Sequence, residues 1–254
     1  MITQKTEKEI RKIAYSGHLL AEVLNTVLKE VRPGIKSLEL DALTEELIRK
    51  GGGTPSFKNY QPSRSEPPFP STTCISFNDQ LVHCPASTRV LKDGDIISID
   101  LGMEYEGLYT DMAMTVPVGK ISRQAKKLIR VTKKSLDLAI KQVKPGNYIS
   151  DISRAIQQYA EKQGFSVNKD LVGHGVGYAV HEEPRIPNFI ADGQPEIELK
   201  TGMVIAIEPM VNIGSDKVKT LDDGWTVVTA DGKLCAHFEH TVAVTEGEAL
   251  VLTK

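Results

Sequence analysis

Two stretches of the chain repeat apolar residues at helical spacing. Ile10, Ile13, Leu20, Val23, Leu24, Val27 and Leu28 fall on one side of a first helix, and Ala125, Leu128, Ile129 and Leu136 on one side of another. Each stripe runs into a Pro-Gly pair, Pro33-Gly34 and Pro145-Gly146. Such a pair ends a helix, because proline lacks the N–H donor and glycine tolerates a left-handed turn. A further helix is expected after each pair, roughly Ser37 to Lys50 and Ser150 to Lys162, followed by a strand-bearing segment. Shifting the chain by 112 positions superposes Val31, Pro33, Gly34, Lys50 and Gly52 on Val143, Pro145, Gly146, Lys162 and Gly164. This self-similarity predicts an internal duplication, about 6–118 and 119–254, within a single domain spanning 1–254. The expected fold class is α+β, two halves with approximate two-fold symmetry, sheets facing a shared cleft and helices outside.

Elsewhere the apolar period is two, and charge interrupts it. Between Ile96 and Leu101, Ser98 and Asp100 share one face while Ile97, Ile99 and Leu101 share the other. Val204, Ala206 and Glu208 oppose Met203, Ile205 and Ile207, and in a last strand His237, Glu239 and Thr241 oppose Phe238, His240, Val242 and Val244. A two-residue turn at Tyr105-Glu106 would set Asp100 directly across from Asp111, with Cβ atoms ~5 Å apart, unless Gly107 shifts the register through a bulge. Carboxylates so placed repel. Either one is protonated at a real energetic cost, or a hard or borderline cation lies between them. From Gly51 to Thr73, three consecutive glycines and five prolines predict a long surface loop. Phe57, Tyr60 and Phe69 equip that loop to line a pocket, with a mobile linker as the equal alternative.

Length and composition narrow the function classes. A chain of 254 residues can bury a sizeable core, and its formal charge of −2 supplies no dominant pull toward nucleic acid or anionic membrane. Neither a membrane nor a direct nucleic-acid partner is therefore expected. Met1 to Lys12 lacks the apolar run of a signal peptide and no stretch approaches a membrane span, so a cytoplasmic location is expected. Cys74, Cys84 and Cys235 are odd in number and lack CxxC spacing, which favours reduced thiols over a disulfide framework or a zinc knuckle.

Gly173-His174-Gly175-Val176-Gly177 is followed by His181-Glu182-Glu183-Pro184, with glycines that permit close backbone approach. By itself a GxGxG run is a weak phosphate signal, a lone histidine is more often structural, and any one of these acids could be a solvated strand residue. Their combination is specific. With Ser98-Ile99-Asp100, Tyr109-Thr110-Asp111, Ile207-Glu208-Pro209-Met210 and Phe238-Glu239-His240 in this order, the chain resembles the type I methionine aminopeptidases of the M24 metallopeptidase family from about residue 5 to its end.

That resemblance implies the pseudo-two-fold "pita-bread" fold, with central antiparallel sheets covered by helices, in a short form without a zinc-binding amino-terminal extension. It implies two divalent ions (Mn, Fe, Co or Zn) that activate water as the nucleophile. Asp100 would chelate one ion, His174 and Glu208 the other, and Asp111 and Glu239 would bridge them. Glu208 would be the general base, His181 would stabilise the oxyanion, and His83 would contact the scissile amide nitrogen. Cys74, Phe69, Trp225 and Tyr60 would form the substrate pocket. The implied activity is removal of the initiator methionine from nascent proteins when the second residue is small. N-terminal Met-peptides would be the substrate, the ribosome a candidate docking partner, and a monomer the working state.

Three positions depart from the family pattern, as does the loop between Phe57 and Phe69, which is longer than usual and leaves a usual aromatic without a clear counterpart. Val180 stands where phenylalanine is common, which would widen the pocket, and His237 stands where glutamine is usual, either supporting a ligand or competing for metal. His83-Cys84-Pro85-Ala86 replaces His-Gly-Ile-Pro or His-Gly-Val-Pro with a shorter turn, which could displace His83, and Cys84 reads as a packed or oxidisable thiol. The alternatives are a proline-directed aminopeptidase or prolidase of the same fold, and a pita-bread binding protein without catalysis.

Overall fold

The computed structural model describes residues 2–63, 67–190, 193 and 196–254. Four helices form where the apolar stripes place them: α1 (Glu7–Lys29), α2 (Ser37–Lys50), α3 (Arg123–Ile140) and α4 (Ile149–Lys162). Local chemistry explains their starts. Thr6 caps α1 by accepting from the Glu9 N–H while the Glu9 carboxylate accepts from the Thr6 N–H, a reciprocal capping box. Ser122 caps α3 by accepting from Ala125 N–H. The shorter helices open by one shared device. Glu39 reaches back to the Lys36 N–H at 3.0 Å, and Asp151, 112 positions later, to the Tyr148 N–H at 2.9 Å. Gly52 and Gly164, just beyond α2 and α4, take φ of +83° and +84°.

The strands of both halves join in one nine-stranded antiparallel sheet. Its main path runs Thr54–Pro55, Ile96–Tyr105, Leu108–Pro117, Glu239–Ala243, Val204–Ile207, Val172–Gly175, Glu182–Pro187. Thr73–Phe77 adds to Ile96–Tyr105 and Leu250–Val251 to Glu239–Ala243. Ile97, Ile99, Leu101 and Met103 pack into one core with Leu20, Leu24 and Val27 of α1 and Leu40 and Ile48 of α2. Ile205, Ile207, Val242 and Val244 pack into another with residues of α3 and α4. Among the described residues no helix is long and apolar enough to cross a membrane.

Two expectations change in the folded chain, and one open alternative is decided. The central hairpin turns at Glu106-Gly107, not at Tyr105-Glu106: Tyr105 pairs with Leu108, and the turn residues take φ of +50° and +80°, the two left-handed positions of a type I′ turn. Gly107 takes the second of these without a Cβ penalty, so no bulge is needed. Asp100 consequently faces Ala113, and Asp111 faces Gly102. The expected last strand divides into Cys235–His237 and Glu239–Ala243, in different sheets. Opposite this break, Pro209 separates Val204–Ile207 from Met210–Asn212, because a residue without an N–H cannot continue a central ladder. The segment 51–73 lines a pocket instead of forming a mobile linker, with Phe57 and Phe69 buried; its residues 64–66 lie outside the described ones.

Gly102 marks where this segment crosses the sheet. A Cβ there would overlap the Ser56 hydroxyl and approach Phe57 Cε1 to 2.8 Å. Gly102→Ala is therefore expected to cost about 1–3 kcal/mol by overpacking, lowering the melting temperature by roughly 5 °C. Gly107→Ala, with open space around it, should cost about 1 kcal/mol through its positive φ alone. Paired thermal melts check the order, and equal losses for the two variants would contradict it.

Candidate metal centre

Strand register assembles the acidic residues in two adjacent rows on one face of the large sheet. In the first row Asp100 faces Ala113, which faces Glu239 on the next strand, and Glu208 lies one step beyond the His240–Ile207 pair. The second row holds Asp111 opposite Gly102, then Thr241 opposite Ala206 and Ala206 opposite His174. Because alternate residues share a face, these rows lie two residues apart along each strand. Asp100 and Asp111 are thus diagonal neighbours, not the directly opposed pair expected from the sequence. The small residues Ala113, Gly102 and Ala206 occupy the remaining positions of these rows.

Neighbouring hydroxyls fix this arrangement. Thr241 Oγ1 accepts from the Asp111 N–H at 3.0 Å and donates to the Asp111 carbonyl at 2.7 Å. Thr115 Oγ1, hydrogen-bonded to Ser98, accepts from the His237 N–H and donates to its carbonyl, both at 2.8 Å. His237 is thereby held facing two carboxylates, its Nε2 3.4 Å from Glu208 Oε2 and 3.8 Å from Glu239 Oε2. Neither threonine was singled out as a support by the sequence pattern, although Thr241 falls two residues from Glu239.

The cluster is electrostatically incomplete as protein alone. Asp100 Oδ1, Asp111 Oδ1 and Glu239 Oε1 are buried without a hydrogen-bond partner among the described residues, a costly state for carboxylates. Burial, with Glu208 adding to it and His237 opposing it, pushes the Asp100 carboxyl up to about 7. Burial and the facing acids push Asp111 and Glu239 well above the usual carboxylate range. One ligand atom each from Asp111, His174 and Glu239 lies within 4.8 Å of the others. His174 Nδ1 lies 2.9 Å from the Gly175 carbonyl and must donate to it, leaving the Nε2 lone pair directed toward Glu208 at 3.6 Å and Asp111 at 4.0 Å. Orphaned carboxylate oxygens facing an imidazole lone pair fit a divalent cation.

A cavity of about 210 Å³ adjoins the cluster, lined by Asp100, Asp111, His174, Glu208 and Glu239 at one end and by Phe57, Tyr60, Phe69, Cys74 and Trp225 at the other. Phe69 and Trp225 meet edge to face at 5.2 Å, and Val180 packs in the same apolar group. His181 stands at the mouth, its ring 4.5 Å from that of His174 and its Nδ1 2.8 Å from the Tyr60 hydroxyl. Desolvation, with His174 and His83 nearby, holds its pKa well below the usual imidazole value. The short turn does not remove His83 from the site. The residue adopts φ of +58°, Ile75 N–H bonds the Cys84 carbonyl at 2.8 Å, and His83 lines both this cavity and the adjoining groove. Burial lowers its pKa. Cys84 is a packed thiol whose pKa burial raises, and so a poor nucleophile.

The chain matches the model of metallopeptidase family M24 over residues 11–246. It is 51% identical over 253 residues to methionine aminopeptidase of Clostridium perfringens, covering all of this chain and 99% of that one. It is 49% identical to methionine aminopeptidase 1 of Bacillus subtilis, with both chains covered in full. Among solved structures it superposes on methionine aminopeptidase from Thermotoga maritima with a TM-score of 0.95, 43% identity and complete coverage of both chains. The prolidase from Pyrococcus furiosus gives 0.79 at 25% identity, with 99% of this chain covering only 65% of that one. Together these neighbours show the pita-bread fold.

The raised carboxyls predict an unusual stability profile. Their folded pKa values exceed the unfolded value near 4, so between about pH 4 and 7 the unfolded chain binds fewer protons than the folded one. For Asp100 the contribution to stability is full below about pH 4 and is lost as pH rises through about 7; Asp111 and Glu239 act in the same direction. In the presence of a chelator, Asp100→Asn is accordingly expected to melt roughly 5 °C above the unsubstituted chain at pH 7.5, with the gap closing toward pH 4, while losing most of the stabilisation that added Mn or Zn confers. A variant less stable than its parent at pH 7.5 without metal would contradict this account.

Proposed function

The chain belongs to metallopeptidase family M24, among its type I methionine aminopeptidases, and we propose that Asp100, Asp111, His174, Glu208 and Glu239 hold two divalent ions beside a pocket for a terminal methionine. The reaction is removal of the initiator methionine by a metal-dependent hydrolase. The observation that carries the residue assignment is the pair of adjacent rows whose carboxylates keep buried oxygens without a partner among the described residues. Asp111 and Glu239 would serve both ions, Asp100 one, and His174 with Glu208 the other; Mn, Fe, Co and Zn would all suit this donor set. When bound, the ions offset the carboxylate charge, receive the free α-amine, polarise the scissile carbonyl and acidify water.

The protein's own groups complete the chemistry. Glu208 sits between His174 and His237 and faces the cavity, so its carboxylate can take a proton from water and return it to the departing amine. His181 and His83, with pKa values depressed by desolvation, are neutral N–H donors at neutral pH. A Tyr60 hydroxyl donating to His181 Nδ1 leaves the ring proton on Nε2, free to stabilise the developing oxyanion. His83 takes the scissile amide. Phe57, Tyr60, Phe69, Cys74, Val180 and Trp225 offer an apolar, partly aromatic enclosure suited to an unbranched thioether. The rest of the peptide leaves along the groove lined by Val82, Leu171, Val172 and Met210, which meets the cavity at His83, His174, His181 and Glu208. That junction favours a small second residue. Nascent chains are the proposed substrates, met in the cytoplasm by a monomer, with the ribosome a candidate docking partner.

Metal-stripped protein reloaded with Mn, Fe, Co or Zn is expected to release methionine from Met-Ala-Ser and much less from Met-Leu-Ser. Asp100→Asn should lower kcat/KM by at least ~10³-fold, and His181→Ala should lower kcat by ~10²-fold. Cleavage of Xaa-Pro peptides with no release from Met-Ala-Ser would overturn the specificity, and turnover retained in Asp100→Asn would overturn the metal assignment.

A further inference from the structure

His181 is carried by a turn that is fastened from the far end of the chain. Residue 182, immediately after it, is a glutamate that borders the adjoining groove and does not line the apolar pocket. Its Oε2 receives Lys5 Nζ at 2.7 Å and Thr3 Oγ1 at 2.8 Å. Its Oε1 receives the backbone N–H of Tyr178 and, at 3.0 Å, that of Ala179. The Lys5–Glu182 pair is almost closed to solvent, with side chains 1% and 10% exposed. Lys5 is itself anchored, its N–H bonding the Gly202 carbonyl at 2.7 Å. Its stem fills the space under the turn: a Cβ on Gly177, where φ is +137°, would meet Lys5 Cε at 2.5 Å.

An ion pair this buried gains little net stability over apolar packing, because desolvation of both charges offsets their attraction. Its value lies in geometry. One carboxylate joins two successive backbone amides of the turn to a fixed cation, so the turn has a single arrangement in which all donors are met. We propose that Lys5 is a positioning residue that, through Glu182, holds the 177–182 turn so that His181 stands against His174 at the cavity mouth. This rests on the role given to His181 above.

Lys5→Met keeps most of the stem and removes the charge. In metal-free protein it is expected to speed amide hydrogen exchange at Tyr178 and Ala179 by ~10-fold or more, while Ile96–Tyr105 stays protected. In loaded protein it should lower kcat on Met-Ala-Ser by ~10- to 100-fold, with KM and metal affinity within ~3-fold of the parent. Added to His181→Ala, it should cost less than ~3-fold more, because the two substitutions remove one shared effect. A full Lys5→Met penalty in the His181→Ala background, or unchanged exchange in the turn, overturns the proposal. Glu182→Gln, which keeps an acceptor for the two amides, is expected to give the same pattern more weakly, and serves where Lys5→Met does not fold. Absence of turnover by the unsubstituted chain would count against the function proposed above, and the exchange measurement would still decide the strap.

Discussion

Carboxylates confined together out of water are the constraint on which this molecule turns. Asp100, Asp111 and Glu239 cannot all be ionised beside Glu208 without a counter-charge, and among the described residues the basic groups paired with this cluster are the imidazoles of His174 and His237. The sheet forces the groups together anyway, because strand pairing through both halves fixes where each side chain emerges. Packing energy from the two helix-covered cores is what holds that unfavourable arrangement in place. A cation converts the strain into a binding site. Stability and function therefore oppose each other locally, as expected where a fold stores an electrostatic penalty for use.

Around the cluster, each layer of structure removes one freedom from the next. Thr241 and Thr115 bond both backbone groups of Asp111 and His237, so register at these positions is set by side-chain hydrogen bonds as well as by the ladder. The proline-rich segment brings Phe57, Tyr60 and Phe69 over the open side, and its close crossing at Gly102 ties pocket shape to the strand that carries Asp100. The histidines at the mouth are kept neutral by desolvation. They can donate hydrogen bonds there without placing a positive charge beside a bound cation.

Much of this was legible in the sequence because it depends on short-range regularities. Helical stripes and Pro-Gly stops located all four helices, since amphipathic periodicity and loss of an N–H act within a few residues. Alternation placed Asp100, Glu208 and Glu239 each on a face opposite the apolar residues of its strand. The order of the acidic and histidine motifs was specific enough to indicate the family and its activity. What failed was the turn. Reading Tyr105-Glu106 as its centre put Asp100 across from Asp111, whereas two consecutive left-handed residues at Glu106-Gly107 shift the pairing by two. Alternation does not distinguish these registers, because both keep the same face buried; the signal that does is Gly107, which suits the second left-handed position of the turn.

The amino-acid sequence by itself determined which residues could lie on a common face, where helices begin and stop, and which side chains could bind a cation. Periodicity and backbone chemistry are local properties. Only the tertiary structure decided that Asp100, Glu239 and Glu208 fall in one row and Asp111 and His174 in the next, that His83 reaches the cavity from a left-handed turn, and that Lys5 lies under the loop carrying His181. Those relations join residues far apart in the chain, and they arise from strand order and packing across the two halves, which no window of sequence contains.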